Sequence, residues 1–175
     1  MIQKKHKYDV ILPFLSFALL LAAALLIIPI IHNPELGYDT PTHISRSRYL
    51  RENMPYVEWN WWWAGGMPYQ LYPPITYYLV VLFSYLLPLI EAYTTVVNFA
   101  FTLTLLFTYL LIHEWSGSHL LAAVGSSLLA SSWIFLGSYY VAGQLPNNLA
   151  MAFFPLFFIL FDRATQRIDR EGHIY

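Results

Sequence analysis

An all-α, polytopic membrane helix bundle follows from three observations. Of the 175 residues 58% are hydrophobic and 11% charged, whereas an average soluble domain is about a quarter charged. Five apolar runs recur along the chain, and no Lys or Arg stands in the connections between the last four. With a mean hydropathy of +0.49, a water-soluble globular domain is excluded. The net charge of -1, with no basic cluster beyond Lys4, Lys5 and Lys7, leaves no electrostatic footprint for nucleic acid. The absence of cysteine excludes disulfide frameworks, thiolate metal sites and a cysteine nucleophile.

Crossing about 30 Å of hydrocarbon takes roughly 20 apolar residues, so the chain holds four or five spans at most. The first run, 10–31, follows Lys4, Lys5, His6 and Lys7, which sets the N-terminus in the cytoplasm. It is longer than the apolar core of a signal peptide and lacks a small-residue cleavage site at Pro29-Ile30-Ile31-His32-Asn33-Pro34, so it reads as a span. The polar stretch that follows holds Glu35, Asp39, Arg46, Arg48, Arg51, Glu52 and Glu58, over a third of the charged residues, and lies outside. The remaining runs are 74–90, 96–112, 120–136 and 149–161. Arg163, Arg167 and Arg170 place the tail 162–175 in the cytoplasm as a linker, so the crossings are even in number. The run 74–90 opens on Pro73-Pro74, contains Pro88 and is short. It is therefore assigned as a membrane-associated helix within an outer loop 32–92, the alternative being a fifth span with the tail outside. Residues 113–119 form a cytoplasmic turn and 137–148 a second outer loop, all in one transmembrane domain, 1–175.

Within the first outer loop, Asp39 or Thr40 starts a short helix, with Pro41 in its first turn. Asp39 and His43, four apart, share a face, and Arg46, Arg48 and Arg51 spread around the next two turns. A carboxylate, an imidazole and several guanidinium groups thus collect at one membrane surface. The alternative is that Asp39 merely caps the helix and the arginines anchor it to headgroups. Beyond Glu58, four tryptophans in five residues (Trp59, Trp61, Trp62, Trp63), Gly65-Gly66 and Tyr72-Pro73-Pro74 make a loop. Such rings form an interfacial belt or stack on sugar faces, and both readings stay open.

The order of features looks like the start of a GT-C membrane glycosyltransferase, the class of the oligosaccharyltransferase catalytic subunit and of prokaryotic transferases that use polyprenyl-phosphate sugars. In oligosaccharyltransferase-like members an early loop Asp is followed nine residues later by Arg, an aromatic and Leu, similar to Asp39 and Arg48-Tyr49-Leu50. Smaller prokaryotic members place a His four after the Asp, as His43 does, and Gly-Gly before Tyr-Pro resembles Gly65-Gly66 and Tyr72-Pro73. The chain also resembles membrane proteins named after a 6-pyruvoyl-tetrahydropterin synthase-related domain, although nothing in it suggests a pterin reaction. The resemblance covers nearly the whole chain and implies that the helix after Tyr-Pro stays on the outer side.

It further implies sugar transfer from a polyprenyl-phosphate or polyprenyl-diphosphate donor at the outer face of a prokaryotic plasma membrane. Asp39 is then the base or orienting carboxylate and His43 its assistant. Arg48, with Arg46 or Arg51, neutralises the leaving phosphate, Glu58 is a reserve acid, and Trp61, Trp62, Trp63 and Tyr72 contact substrate. Family members hold a divalent cation, Mg or Mn, partly through an acid three residues after an Ala-Gly. Here Ala142-Gly143 is followed by Pro146 at that position, which offers no side-chain oxygen; Asp39 and His43 are the candidate ligands, and Asn147 or Asn148 would be a neutral, weaker one. Gln144 and Asn147 are candidates for sugar hydroxyls, the alternative being capping of the last helix. GT-C cores have about seven or more helices, so the expectation is an N-terminal portion, or a chain completed by a membrane partner. The competing class is a non-catalytic integral-membrane subunit whose outer loop binds a partner or lipid. A transporter is disfavoured, since no ionisable residue interrupts the apolar runs apart from Glu91 and Glu114 at their ends.

Overall fold

The computed structural model describes residues 37–54 and 74–172, with side chains through 166, and three helical positions further upstream, Leu15, Ala18 and Ala22. The rest of the first run, together with Glu58, the tryptophan cluster, Gly65-Gly66 and Tyr72, lies outside the described residues. Among the described residues every regular element is helical.

Helix α1 is Thr40–Asn53, with Asp39 at the N-cap and Pro41 in the first turn, as the spacing predicts. The Asp39 side chain makes no capping hydrogen bond, so the capping alternative loses its usual physical basis. Helix α2, Pro74–Phe83, is ten residues long, about 15 Å and half the hydrocarbon thickness. The Ser84 hydroxyl donates to Val81 O at 2.7 Å, and Pro88 forbids continuation. Leu89 and Ile90, expected in the same helix as 74–83, instead open α3, Leu89–Ser116. This helix extends the expected span 96–112 at both ends because Glu91 suits its first turn and nothing breaks it before Gly117.

The run 120–136 is not one straight span. Helix α4 is His119–Ser131, capped by Ser118. Ser132 then caps a new helix, its hydroxyl accepting from Phe135 N–H at 3.1 Å, so α5, Trp133–Leu136, leaves at an angle. A π-helical turn, Gly137–Ala142, continues it, and the whole is bent 55° from α4. The expected outer loop 137–148 therefore shrinks to Gly143 and Gln144: the backbone of 137–142 is satisfied helically, and α6 begins at Leu145. Helix α6, Leu145–Gly172, replaces both the expected span 149–161 and most of the expected linker 162–175, because no breaker follows Pro155 until Gly172.

The core joins α3 to the bent pair and α6. Phe101, Phe135 and Tyr139 form an aromatic triangle with centroids 4.8 to 5.4 Å apart. Val96, Ala100, Leu105, Leu145 and Leu149 close around it. Asn148, fully buried, ties α6 to the π turn: its Oδ1 accepts from the Ser138 hydroxyl at 2.8 Å and its Nδ2 donates to Ser138 O at 3.3 Å. Asn148→Ala leaves both Ser138 groups without that partner. The expected cost is about 1–3 kcal/mol, read as a lowered thermal midpoint in detergent. At the far end Arg163 grips Glu114 with two bonds of 2.8 and 3.0 Å, so the C-terminal end of α3 lies beside α6 at residue 163. The start of α6 lies with α1 at the opposite end, which is where the candidate site is built.

Candidate functional site

The start of α1 is sewn to the end of the π turn through the backbone. Tyr38 N–H donates to Val141 O at 3.0 Å and Asp39 N–H to Ala142 O at 3.1 Å. Gly37, with φ +137°, and Gly143, with φ +66°, let the two strands of chain touch: a Cβ on Gly143 would stand 3.3 Å from Gly37 Cα and 2.7 Å from the Thr40 hydroxyl. Thr40 in turn lies 3.3 Å from the Tyr93 hydroxyl on α3. Residues 37–39 and 141–143, expected in two separate outer loops, thus form one junction.

One face of α1 is buried, and it is polar: Thr40, His43, Arg46 and Ser47 with Leu50. Tyr77 of α2 receives it. Its hydroxyl is 2.9 Å from His43 Nδ1 and accepts from Arg46 Nη1 at 3.2 Å, with the guanidinium 5.9 Å from the ring centroid. Arg46 can only donate, so the phenol's own hydrogen is available to the imidazole. Asp39 stays exposed at the helix start, while His43 is only 2% exposed. The shared face therefore brings the Asp39 charge near His43 without leaving the imidazole open to solvent.

Burial drives His43 down from 6.5 to about 4, with Arg46 lowering it further and the Asp39 carboxylate opposing both. The ring is neutral at pH 7. Its folded pKa lies below its unfolded value, so the folded state binds fewer protons between the two. The stability involved is fully present above pH 6.5 and is lost as pH falls toward 4. The expected loss is about 3 kcal/mol at full protonation, and His43→Gln should flatten the slope of thermal midpoint against pH over that window.

The opposite side of α1 borders a groove of about 700 Å³ lined by Thr40, Pro41, Ile44, Ser45 and Arg48, and across it by Pro88, Leu89 and Ile90 at the start of α3. Arg48 is the one arginine of the three that lines it. Arg46 faces Tyr77 instead, and Arg51 is exposed on the last turn outside the groove lining. Gln144 and Asn147 pair with one another, Asn147 Nδ2 donating to Gln144 Oε1 at 3.3 Å. Asn147 and Asn148 lie inside α6, so neither is its N-cap, and the buried member with the long-range role is Asn148.

A hard divalent cation asks for about six oxygens. Among the described residues no three His, Asp or Glu side chains converge. His43 Nδ1 is engaged by Tyr77, and Pro146 offers no side-chain oxygen. This donor set does not fit Mg or Mn.

Tyr77 and Tyr93 are not singled out by the sequence, since a phenol in or beside an apolar run carries no local mark, and Asn148 is legible only as one of the loop asparagines, not as a buried tie. Ala142-Gly143 was visible, but only as a motif. Its partner, Gly37, is 106 positions away.

Fold and composition together define a class: a helical chain with two helices long and apolar enough to cross a membrane, or three if the bent pair is one span, consistent with an integral membrane protein. Compared with protein-family models, curated proteins and solved structures, the chain matches none.

Proposed function

We propose that this chain carries the acceptor-activating side of a GT-C-type membrane glycosyltransferase, moving a sugar from a polyprenyl-phosphate-linked donor to an acceptor at the outer face of a prokaryotic plasma membrane. In this reading the N-terminus and the Glu114–Arg163 end are cytoplasmic, and α1, α2 and the 37–143 junction face outward. Further helices of the cavity come from the rest of a longer chain or from a membrane partner.

The observation that carries the reading is Asp39: an exposed carboxylate, relieved of capping, fixed by backbone bonds and one residue from a groove that holds Arg48. In the reaction the acceptor O–H gives its proton to the Asp39 carboxylate while the acceptor oxygen bonds to the anomeric carbon. The anomeric C–O bond to phosphate breaks, and Arg48 takes up the phosphate charge with its planar, two-pronged donor face. Ile44, Leu89 and Ile90 give the same groove apolar walls for the first units of a lipid carrier. Buried and neutral His43 positions α1 against Tyr77 and takes no proton from the acceptor.

The test compares membranes that contain the chain with membranes from which it has been deleted, each supplied with radiolabelled polyprenyl-phosphate sugars. Transfer of label that depends on the chain is expected. Equal labelling in both overturns the enzymatic reading and leaves the non-catalytic subunit.

A further inference from the structure

We infer that the groove between α1 and α3 takes a lipid phosphodiester, an anion of single charge held by Arg48 and the Ser45 hydroxyl together, and that it discriminates against a diphosphate. This rests on the proposed function in taking the groove as the donor's, and it decides between the two donor classes that the sequence leaves open.

Polar groups that line the groove are few, and two of them are uncommitted. Ser45 and Arg48 stand three residues apart, so they share a face of α1, and both are exposed. A helical serine often turns its hydroxyl back to a carbonyl of the preceding turn, as Ser47 does by donating to His43 O at 2.8 Å. Among the described residues the Ser45 hydroxyl makes no such bond, and Arg48 has no carboxylate partner. The third polar side chain of the lining, Thr40, is buried and engaged with Tyr93. A guanidinium and a hydroxyl one turn apart can donate to two oxygens of one phosphate.

Charge sets the class of anion. Between Lys7 and Arg163 the chain carries no Lys or Arg besides Arg46, Arg48 and Arg51. Arg46 is buried against Tyr77 and Arg51 lies outside the groove lining, which leaves Arg48. The exposed carboxylates of Asp39 and Glu91 adjoin the lining residues Thr40 and Ile90, and neither is paired with a base among the described residues. A phosphodiester brings one negative charge, which Arg48 balances. A diphosphate brings a second, which meets the carboxylates and finds no converging ligands for a bridging divalent cation.

The probes are farnesyl methyl phosphate, which is a singly charged diester, farnesyl diphosphate with the same tail, and dimethyl phosphate with none. Each is titrated against the full chain in a neutral detergent with magnesium chloride present, and bound ligand is counted by native mass spectrometry. Farnesyl methyl phosphate is expected to bind at least about ten-fold more tightly than either of the others. Arg48→Gln should weaken it by about ten-fold or more and Ser45→Ala by about three-fold. Both side chains are exposed, so neither change touches the packing. Farnesyl diphosphate bound as tightly or more tightly overturns the inference, as does a loss with Arg51→Gln equal to that with Arg48→Gln. Equal binding of dimethyl phosphate overturns it in favour of a site for a free anion, and no binding of farnesyl methyl phosphate overturns it outright. The two readings fail separately. The expected binding pattern without chain-dependent transfer of label keeps the site and loses the enzyme, whereas transfer that prefers a diphosphate donor keeps the enzyme and overturns the inference.

Discussion

Asp39→Asn is expected to reduce sugar transfer by at least about a hundred-fold while leaving the fold intact. The substitution keeps size and polarity and removes the negative charge, and with it the ability to take a proton. The carboxylate makes no capping bond, and the backbone N–H of residue 39, which donates to Ala142 O, is unchanged. Stability, read from the thermal midpoint, should therefore change by no more than about 0.5 kcal/mol. One secondary effect distinguishes this variant from a neutral one. Without the Asp39 charge opposing it, His43 falls further below its ordinary value, so the acid-sensitive window still opens near pH 6.5 but extends further at its acid end. Transfer rates and midpoints measured on the same membranes separate the two consequences. Undiminished transfer by the variant would remove Asp39 from the mechanism.

Gly143→Ala is expected to give a large structural effect from a single methyl group. With φ at +66° the new Cβ meets the Thr40 hydroxyl at 2.7 Å and Thr40 N at 3.1 Å, both held in the first turn of α1. The left-handed conformation alone costs about 1–2 kcal/mol for a residue with a Cβ. Relief by moving Thr40 also breaks its contact with Tyr93 and shifts Asp39, since the two are adjacent. A fall of several degrees in thermal midpoint is expected, as 1 kcal/mol is worth about 2–4 °C in a chain of this size. Gly137→Ala is the matched control. That glycine has a right-handed conformation and nothing within 4 Å of a built Cβ, so the change should be neutral or slightly stabilising. Equal losses in both variants would show that the 37–143 junction does not hold α1 in place.

The helical class, the separate polar helix near Asp39 and the shortness of the element after Pro73-Pro74 were all legible in the sequence. Apolar periodicity, prolines and N-cap residues act within a few positions, so their consequences are local and readable. Ser132 shows the limit of that reading: a serine in an apolar run is an ordinary helix residue until its hydroxyl caps a new helix, and here it splits α4 from α5. The roles of the arginines show it again. Arg46 and Arg48 stand two apart and so point to different sides of α1, which the sequence states. Only packing against Tyr77 decided that Arg46 is the buried one and that Arg48 is left to the groove.

By itself the sequence determined an apolar, cysteine-free helical chain with its chemistry gathered into a short polar helix at one end. The tertiary structure alone decided that residues 37–39 meet 141–143, that His43 is buried and neutral, and that Asp39 is exposed without a capping duty. The physical reason is range: helix propensity and capping are set by neighbours along the chain, whereas burial, desolvation and backbone docking depend on residues brought together across 34 to 106 positions.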